Sequence, residues 1–173
     1  MKKTATVYWL LPAKPERDLF CEMVQILRKE FRAPSFEPHI TLFSTKKDRQ
    51  SPKAVLKQIA LRRIRLRTRG VGFSAEFTRT LFVRFKSSPA LRKLVDELSR
   101  AAKSPAKAPS DAHVSLLYKK LPRAAKKELA AVMKLPFRTV VFNSIAAVRC
   151  PLPSRTNADV EAWKILAKKS LRR

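Results

Sequence analysis

Along this chain the spacing of apolar and polar positions changes in a fixed order, and the order occurs twice. Thr4 to Leu11 is a β-branched and aromatic run of strand character. Leu19, Met23, Ile26 and Leu27 then recur at helical spacing to about Phe31, and a second strand-like run carries His39. A short helix after Ser51-Pro52 with Val55 and Ile59, and a strand from about Arg62 to Ser74, close the first half. The second half reads as a strand over Thr78 to Lys86 and a helix opening at Pro89 with Leu91, Leu94, Val95 and Leu98 on one face. The strand of His113, a helix from Pro122 to Met133 and a strand from Phe137 to Cys150 follow. Beyond Cys150, Asn157 can cap a helix with Val160, Trp163 and Leu166 on one face, but Trp163, Ile165 and Ala167 also fit a strand.

The two halves are related by an ungapped offset of 74 residues that takes Thr4 to Thr78, Thr6 to Thr80, Pro15 to Pro89, His39 to His113 and Leu42 to Leu116. This predicts a duplication: one domain over residues 1–173, made of two strand-helix-strand-helix-strand units at about 4–74 and 78–150, followed by a strand or helix within 157–170.

The only two histidines lie at matched places, in Pro38-His39-Ile40-Thr41-Leu42 and Ala112-His113-Val114-Ser115-Leu116. Strand alternation puts His39 with Thr41, and His113 with Ser115, on the faces opposite Ile40/Leu42 and Val114/Leu116. Helices should cover the apolar faces, leaving both His-hydroxyl pairs on uncovered sides that can oppose one another across a cleft. A lone strand histidine is more often a packing residue than a catalyst. Two of them, in matched tetrads, favour acid and base work on one phosphate ester. One imidazole would take a proton from water and the other give one to a leaving oxygen, with Thr41 and Ser115 donating to non-bridging phosphate oxygens. The ordinary histidine pKa, about 6.5, leaves both protonation states accessible.

The offset adds cleft candidates. Leu81, Val83 and Phe85 form the apolar face of their strand, which leaves Thr80, Phe82 and Arg84 toward the cleft and maps Thr6 and Tyr8 to the matching side of the first strand. Tyr8 and Phe82 can stack on a base or line a core, and Arg84 can meet a phosphate or solvent. Trp9, on the other parity, is expected in the core.

The chain has 173 residues, 45% hydrophobic, enough for one sizeable core or two small coupled lobes. No apolar run near 18 residues and no charged-apolar-small leader occurs, so neither a membrane span nor a signal peptide is indicated and a cytoplasmic protein is expected. Cys21 and Cys150, without metal-ligand spacing, are expected as free thiols in or near the core, and no metal site is expected. Gly70 and Gly72 are the only glycines, which excludes a glycine-rich phosphate loop. The 39 Lys+Arg against 13 Asp+Glu give a net charge of +26, which attracts polyanions, nucleic acid foremost, or serves solubility alone. Arg63, Arg65, Arg67 and Arg69 alternate with Ile64, Leu66 and Thr68, so in a strand all four share a face that is either a solvated edge or a phosphate track. Lys103 to Lys107, and Lys168-Lys169 with Arg172-Arg173, read as ordinary solvated charge.

The paired tetrads, the Phe36-Glu37-Pro38 lead-in and the Leu116-Leu117-Tyr118 continuation resemble the two-histidine (2H) phosphoesterase superfamily, and within it the cyclic phosphodiesterases. The resemblance implies a bilobal α+β fold in which antiparallel sheets from both halves line a central cleft with helices outside, in pseudo-twofold symmetry. It also implies metal-independent chemistry without a cofactor, and favours a strand around Trp163. His39 and His113 match the catalytic histidines, and Thr41 and Ser115 the phosphate-binding hydroxyls. Tyr118 matches an aromatic near the substrate, although its strand parity opposes that of His113, so a bend after Leu116 is required. Such relatives suggest that His113 activates water and His39 protonates the leaving oxygen. The implied reaction is opening of a 2′,3′-cyclic phosphate on a nucleotide or RNA end, or of ADP-ribose 1″,2″-cyclic phosphate, by a monomeric protein. RNA end processing or 2′-5′ ligation on a polynucleotide is the rival that the charge favours, and a non-catalytic RNA-binding protein is a second.

Overall fold

The computed structural model describes residues 2–172. Two successive βαβαβ series are followed by a short helix and a last strand. The first series is β1 (Thr4–Pro12), α1 (Glu16–Phe31), β2 (Ile40–Thr45), α2 (Pro52–Lys57) and β3 (Ile64–Phe73). The second is β4 (Leu81–Phe85), α3 (Pro89–Ala102), β5 (His113–Leu117), α4 (Arg123–Val132) and β6 (Thr139–Pro151), and α5 (Asn157–Glu161) and β7 (Lys164–Ser170) end the described chain. Phe77–Arg79 forms a 3-10 turn, so the second strand starts later than its Thr78 counterpart suggests.

All seven strands belong to one antiparallel sheet, in the order β1-β2-β5-β4-β3-β6-β7, and β1 also pairs with β6. The halves therefore do not build separate sheets. Each donates its last strand to the other: β3 pairs with β4 and β6, and β6 pairs with β1. Between β2 and β5 the ladder narrows to the single pair Ile40↔Val114.

The four longer helices bury one face of this sheet. Ile40, Leu42, Val114 and Leu116 join Phe20 and Leu27 of α1, Val55 and Leu56 of α2 and Leu91, Leu94, Val95 and Leu98 of α3 in the main core, against which Leu129 and Ala130 of α4 pack. On the other face a smaller cluster gathers Val7, Trp9 and Leu11 of β1 with Ala146, Val148 and Cys150 of β6.

Several local expectations change. In α1 the buried residues are Phe20, Val24 and Leu27, while Ile26 is 68% exposed. The apolar positions of this helix span two faces one residue apart, and docking over β5, not periodicity, selects between them. Thr156, not Asn157, caps α5: its hydroxyl accepts from the Asp159 amide, and the Asp159 carboxylate accepts in return from the Thr156 amide. The helix ends after Glu161, Trp163 occupies the connection, and the strand begins at Lys164, so neither a helix through Leu166 nor a strand through Trp163 forms.

Cys21 and Cys150 are free thiols. No helix among the described residues is long and apolar enough to cross a membrane. Arg173, at the end of the terminal basic group, lies outside the described residues.

Gly72 shows how tightly the site face is built. It pairs with Phe82, and a Cβ on it would lie 2.8 Å from Phe82 Cε2 and 3.2 Å from Arg84 Cδ. Because Phe82 is 3% exposed, its ring has little room to retreat. Gly72→Ala is expected to cost about 1–3 kcal/mol, as overpacking does, read from the shift of the urea midpoint at constant slope; an unshifted midpoint would show that the ring yields freely.

Candidate active site

Continuing the register of the Ile40↔Val114 pair sets His39 beside Ser115 and Thr41 beside His113. Directly opposed side chains on antiparallel strands stand about 5 Å apart at Cβ and diagonal ones about 7–8 Å. The two histidines thus stand diagonally across the β2–β5 junction, on the same face of the sheet. His39, Thr41, His113 and Ser115 all line one cleft of about 300 Å³.

Both imidazoles are held in the same way. His39 Nδ1 lies 2.6 Å from the Glu37 carbonyl oxygen and His113 Nδ1 lies 2.8 Å from that of Asp111, in each case two residues back along the chain. A carbonyl only accepts, so Nδ1 carries the proton and donates it, and Nε2 is the nitrogen left for chemistry. The anchoring residues are both acidic, and their carboxylates are tied by arginines. Glu37 pairs with Arg17 at 2.6 Å, and Asp111 pairs with Arg79 and, at 3.1 Å, with Arg84.

His39 is 6% exposed. Trp9 stacks on its ring with centroids 3.8 Å apart and planes 10° from parallel, and Trp163 meets it edge-on at 6.0 Å. Burial lowers the His39 pKa to about 4, against a backbone hydrogen bond that raises it, and the facing His113 lowers it further. The His113 pKa is also lowered, first by burial and then by Arg79, while the Asp111 hydrogen bond and the Asp111 and Glu76 carboxylates oppose the shift. Both shifts favour the neutral ring in the free protein.

Thr41 is exposed to the cleft. The Ser115 hydroxyl donates to the Thr78 carbonyl at 2.9 Å, so it must rotate to donate to a ligand. Tyr118 reaches the cleft through a bulge. Ser115 pairs with Phe82 and Leu117 with Leu81, which leaves Leu116 as an extra residue and resets the alternation after it. The Tyr118 ring then stacks on Phe36 at 3.8 Å and meets Trp163 at 5.8 Å, and burial pushes its phenol above the usual range.

Of the other expected cleft residues, Tyr8 lies elsewhere. It is buried in the main core and stacks on Phe43 at 4.9 Å, whereas Trp9 faces the cleft. The reason is register: Trp9 pairs with Thr41 as Phe82 pairs with Ser115, an offset of 73 residues, while the histidines are 74 apart. A slip of one residue moves a strand residue to the opposite face. Thr6 is likewise away from the cleft, donating to Asp48 at 2.8 Å, and Thr80 donates to the Lys119 carbonyl at 2.7 Å. Phe82 lies behind His113, centroids 5.1 Å apart, with the Arg79 guanidinium 4.5 Å over its ring; it supports the histidine without lining the cavity. Arg84 is engaged by Asp111 rather than turned into the cavity. Sequence reasoning missed Trp9, Trp163 and Arg79 as cleft residues. The acidic residue two before each histidine was the visible signal for the anchoring, and nothing local signalled Trp163, which a turn carries in from the end of the chain.

Among the described residues no group of three or more His, Cys, Asp or Glu side chains is placed to hold a metal ion.

Known proteins resemble this chain in fold over nearly its whole length. TT0787 of Thermus thermophilus superposes with a TM-score of 0.60 at 22% identity, covering 97% of this chain and 98% of that one. LigT of E. coli, in a complex with 3′-AMP, gives 0.59 at 16% identity, covering 98% and 99%. No curated protein matches the sequence significantly. The family model of the 2′-5′ RNA ligase superfamily matches residues 16–149, which contain both histidine tetrads with their anchoring carbonyls and most of the sheet that brings them together. The chain belongs to the 2′-5′ RNA ligase superfamily of two-histidine phosphoesterases.

Proposed function

We propose that this protein opens a 2′,3′-cyclic phosphate, on a nucleotide or at the 3′ end of an RNA, with His39 and His113 as the proton-transferring pair and no metal ion. The observation that carries this reading is the matched anchoring of the two rings: each is fixed through Nδ1, and each leaves Nε2 for the same cleft. A cyclic phosphate between them meets water on one side and its leaving ribose oxygen on the other. One Nε2 takes the proton of the attacking water as the new P–O bond forms. The other Nε2–H gives its proton to the ribose oxygen as the old P–O bond breaks, and the products are a phosphate monoester and a free hydroxyl. Thr41 and Ser115 donate to the non-bridging oxygens. Trp163, half-buried in the cleft lining, rather than Tyr8 or Phe82, is the aromatic face available to a base, a stacking contact worth about 1–3 kcal/mol. Tyr118, buried and stacked on Phe36, backs it edge-on.

The equal anchoring equips either histidine for either role, so the orientation of the bound ester decides them and the product isomer reports the outcome. That LigT has been seen with 3′-AMP, and also with ATP, supports a nucleotide-sized ligand for this fold.

Incubated with 2′,3′-cyclic nucleotides in excess EDTA and followed by phosphorus NMR, the wild type is expected to turn over. His39→Ala and His113→Ala should each lose about 10²–10⁴-fold in kcat. Turnover that survives loss of both rings would overturn the mechanism.

The pH profile carries a second expectation. Activity requires one ring protonated and the other neutral, yet both pKa values are lowered before substrate binds, that of His39 to about 4. The basic limb of kcat/KM should therefore fall below the ordinary histidine value of about 6.5. A bound phosphate anion favours the imidazolium, so the basic limb of kcat should lie at higher pH than that of kcat/KM. Coincident limbs above pH ~7.5, a full unit above the ordinary value, would contradict the burial argument.

Trp9 stacks on His39 and forms part of the burial that lowers its pKa. Trp9→Ala should move the His39 pKa upward toward about 6.5 in an imidazole NMR titration; an unmoved value would mean that the rest of the site suffices to desolvate the ring.

A further inference from the structure

The alternation in β3 leaves Ile64 and Leu66 1% exposed in the main core and Arg65 and Arg67 exposed on the opposite face, and the exposed Arg63 precedes the strand at the next alternate position. That opposite face is the one the cleft opens on. Gly70 of β3 pairs with Arg84 of β4, and Arg84 pairs with His113 of β5; at the end of β4 the Lys86 amide donates to the Arg67 carbonyl at 2.9 Å. Two strand spacings of about 4.8 Å separate Gly70 from His113, and Arg67 lies three residues further along β3, so the row begins more than ~10 Å from the histidine and runs away from it. Arg69 falls out of the row, because a bulge between Thr68 and Gly70 interrupts the alternation. Among the described residues Arg63, Arg65 and Arg67 make no ion pair, although six such pairs form elsewhere.

Three exposed guanidinium groups at every second residue, about 6.8 Å apart and without an ion pair among the described residues, make a linear positive surface on the sheet face that also carries the histidines. We infer that this face of β3, extended by Lys86, is a track for the sugar-phosphate backbone of a single-stranded RNA whose 3′ end occupies the cleft. The inference rests on the proposed cyclic-phosphate chemistry for the terminal nucleotide, but assigns the rest of the strand to a separate surface. It makes the natural substrate a polynucleotide end rather than a free nucleotide.

The test compares a short RNA ending in a 2′,3′-cyclic phosphate with the corresponding cyclic mononucleotide, using wild type, the triple variant Arg63→Gln/Arg65→Gln/Arg67→Gln, and a charge-matched control. The control, Lys29→Gln/Lys93→Gln/Lys127→Gln, removes three exposed charges from α1, α3 and α4. The β3 triple should lower kcat/KM on the oligonucleotide by roughly tenfold or more at low salt. Its log-log salt dependence should flatten by about 2, near 0.7 for each phosphate of the single strand that an arginine no longer neutralises. The mononucleotide should be turned over as by wild type, and the control should leave both substrates nearly unchanged. Equal losses from the control triple, or an unchanged oligonucleotide rate in the β3 triple, would overturn the track.

Binding of a 3′-hydroxyl RNA of the same length to His39→Ala/His113→Ala protein, with and without the three β3 substitutions, reads the track without turnover. There, weaker binding upon arginine removal supports the track even if no cyclic phosphate is opened, and unchanged binding refutes it even if one is.

Discussion

The four longer helices cover one face of the antiparallel sheet, so the other face is left to a small apolar cluster and the cleft, and that division sorts almost every candidate site residue. Ile40, Leu42, Val114 and Leu116 lie under the helices. Their neighbours His39, Thr41, His113 and Ser115 consequently point the other way. Because each half passes its last strand to the other, the sheet does not split between the repeats, and the two tetrads become neighbours around the Ile40↔Val114 pair. The same constraint extends beyond the cleft: exposed arginines of β3 share the uncovered face with the histidines.

Within that frame the histidines are prepared rather than merely exposed. A carbonyl two residues back holds each Nδ1–H, so ring orientation and tautomer are set before a ligand arrives. Arginines engage both acidic side chains that carry those carbonyls, and the Asp111 charge only partly offsets the lowering of the His113 pKa. What remains is an environment that disfavours imidazolium, strongest at His39 between Trp9 and Trp163. The proposed phosphate substrate would supply the missing stabilisation and so couple protonation of the site to its occupancy. The aromatic residues around His39 thereby desolvate its ring and line the cleft beside it.

Bulges decide which residues take part. In β5 the extra Leu116 turns Tyr118 from the core side to the cleft, and in β3 the irregularity at Arg69 ends the arginine row. Each changes a face assignment without changing the composition of the strand.

The sequence by itself determined the repeated order of elements, the helix-facing positions of α3 and the two His-hydroxyl pairs, because these rest on local periodicity and on spacing within a single strand. It did not determine which face of α1 packs inward, since apolar positions there permit two faces one residue apart and only the partner strand distinguishes them. Nor could it assign Tyr8 and Trp9. The repeats are offset by 74 residues at the histidines but by 73 between Trp9 and Phe82, and a single residue reverses a strand's faces. Trp163 was beyond any local argument, because its place beside His39 comes from β7 folding back along β6. Tertiary structure alone decided those positions, for strand register and helix docking are set by contacts between segments far apart in the chain, where no local pattern records the partner.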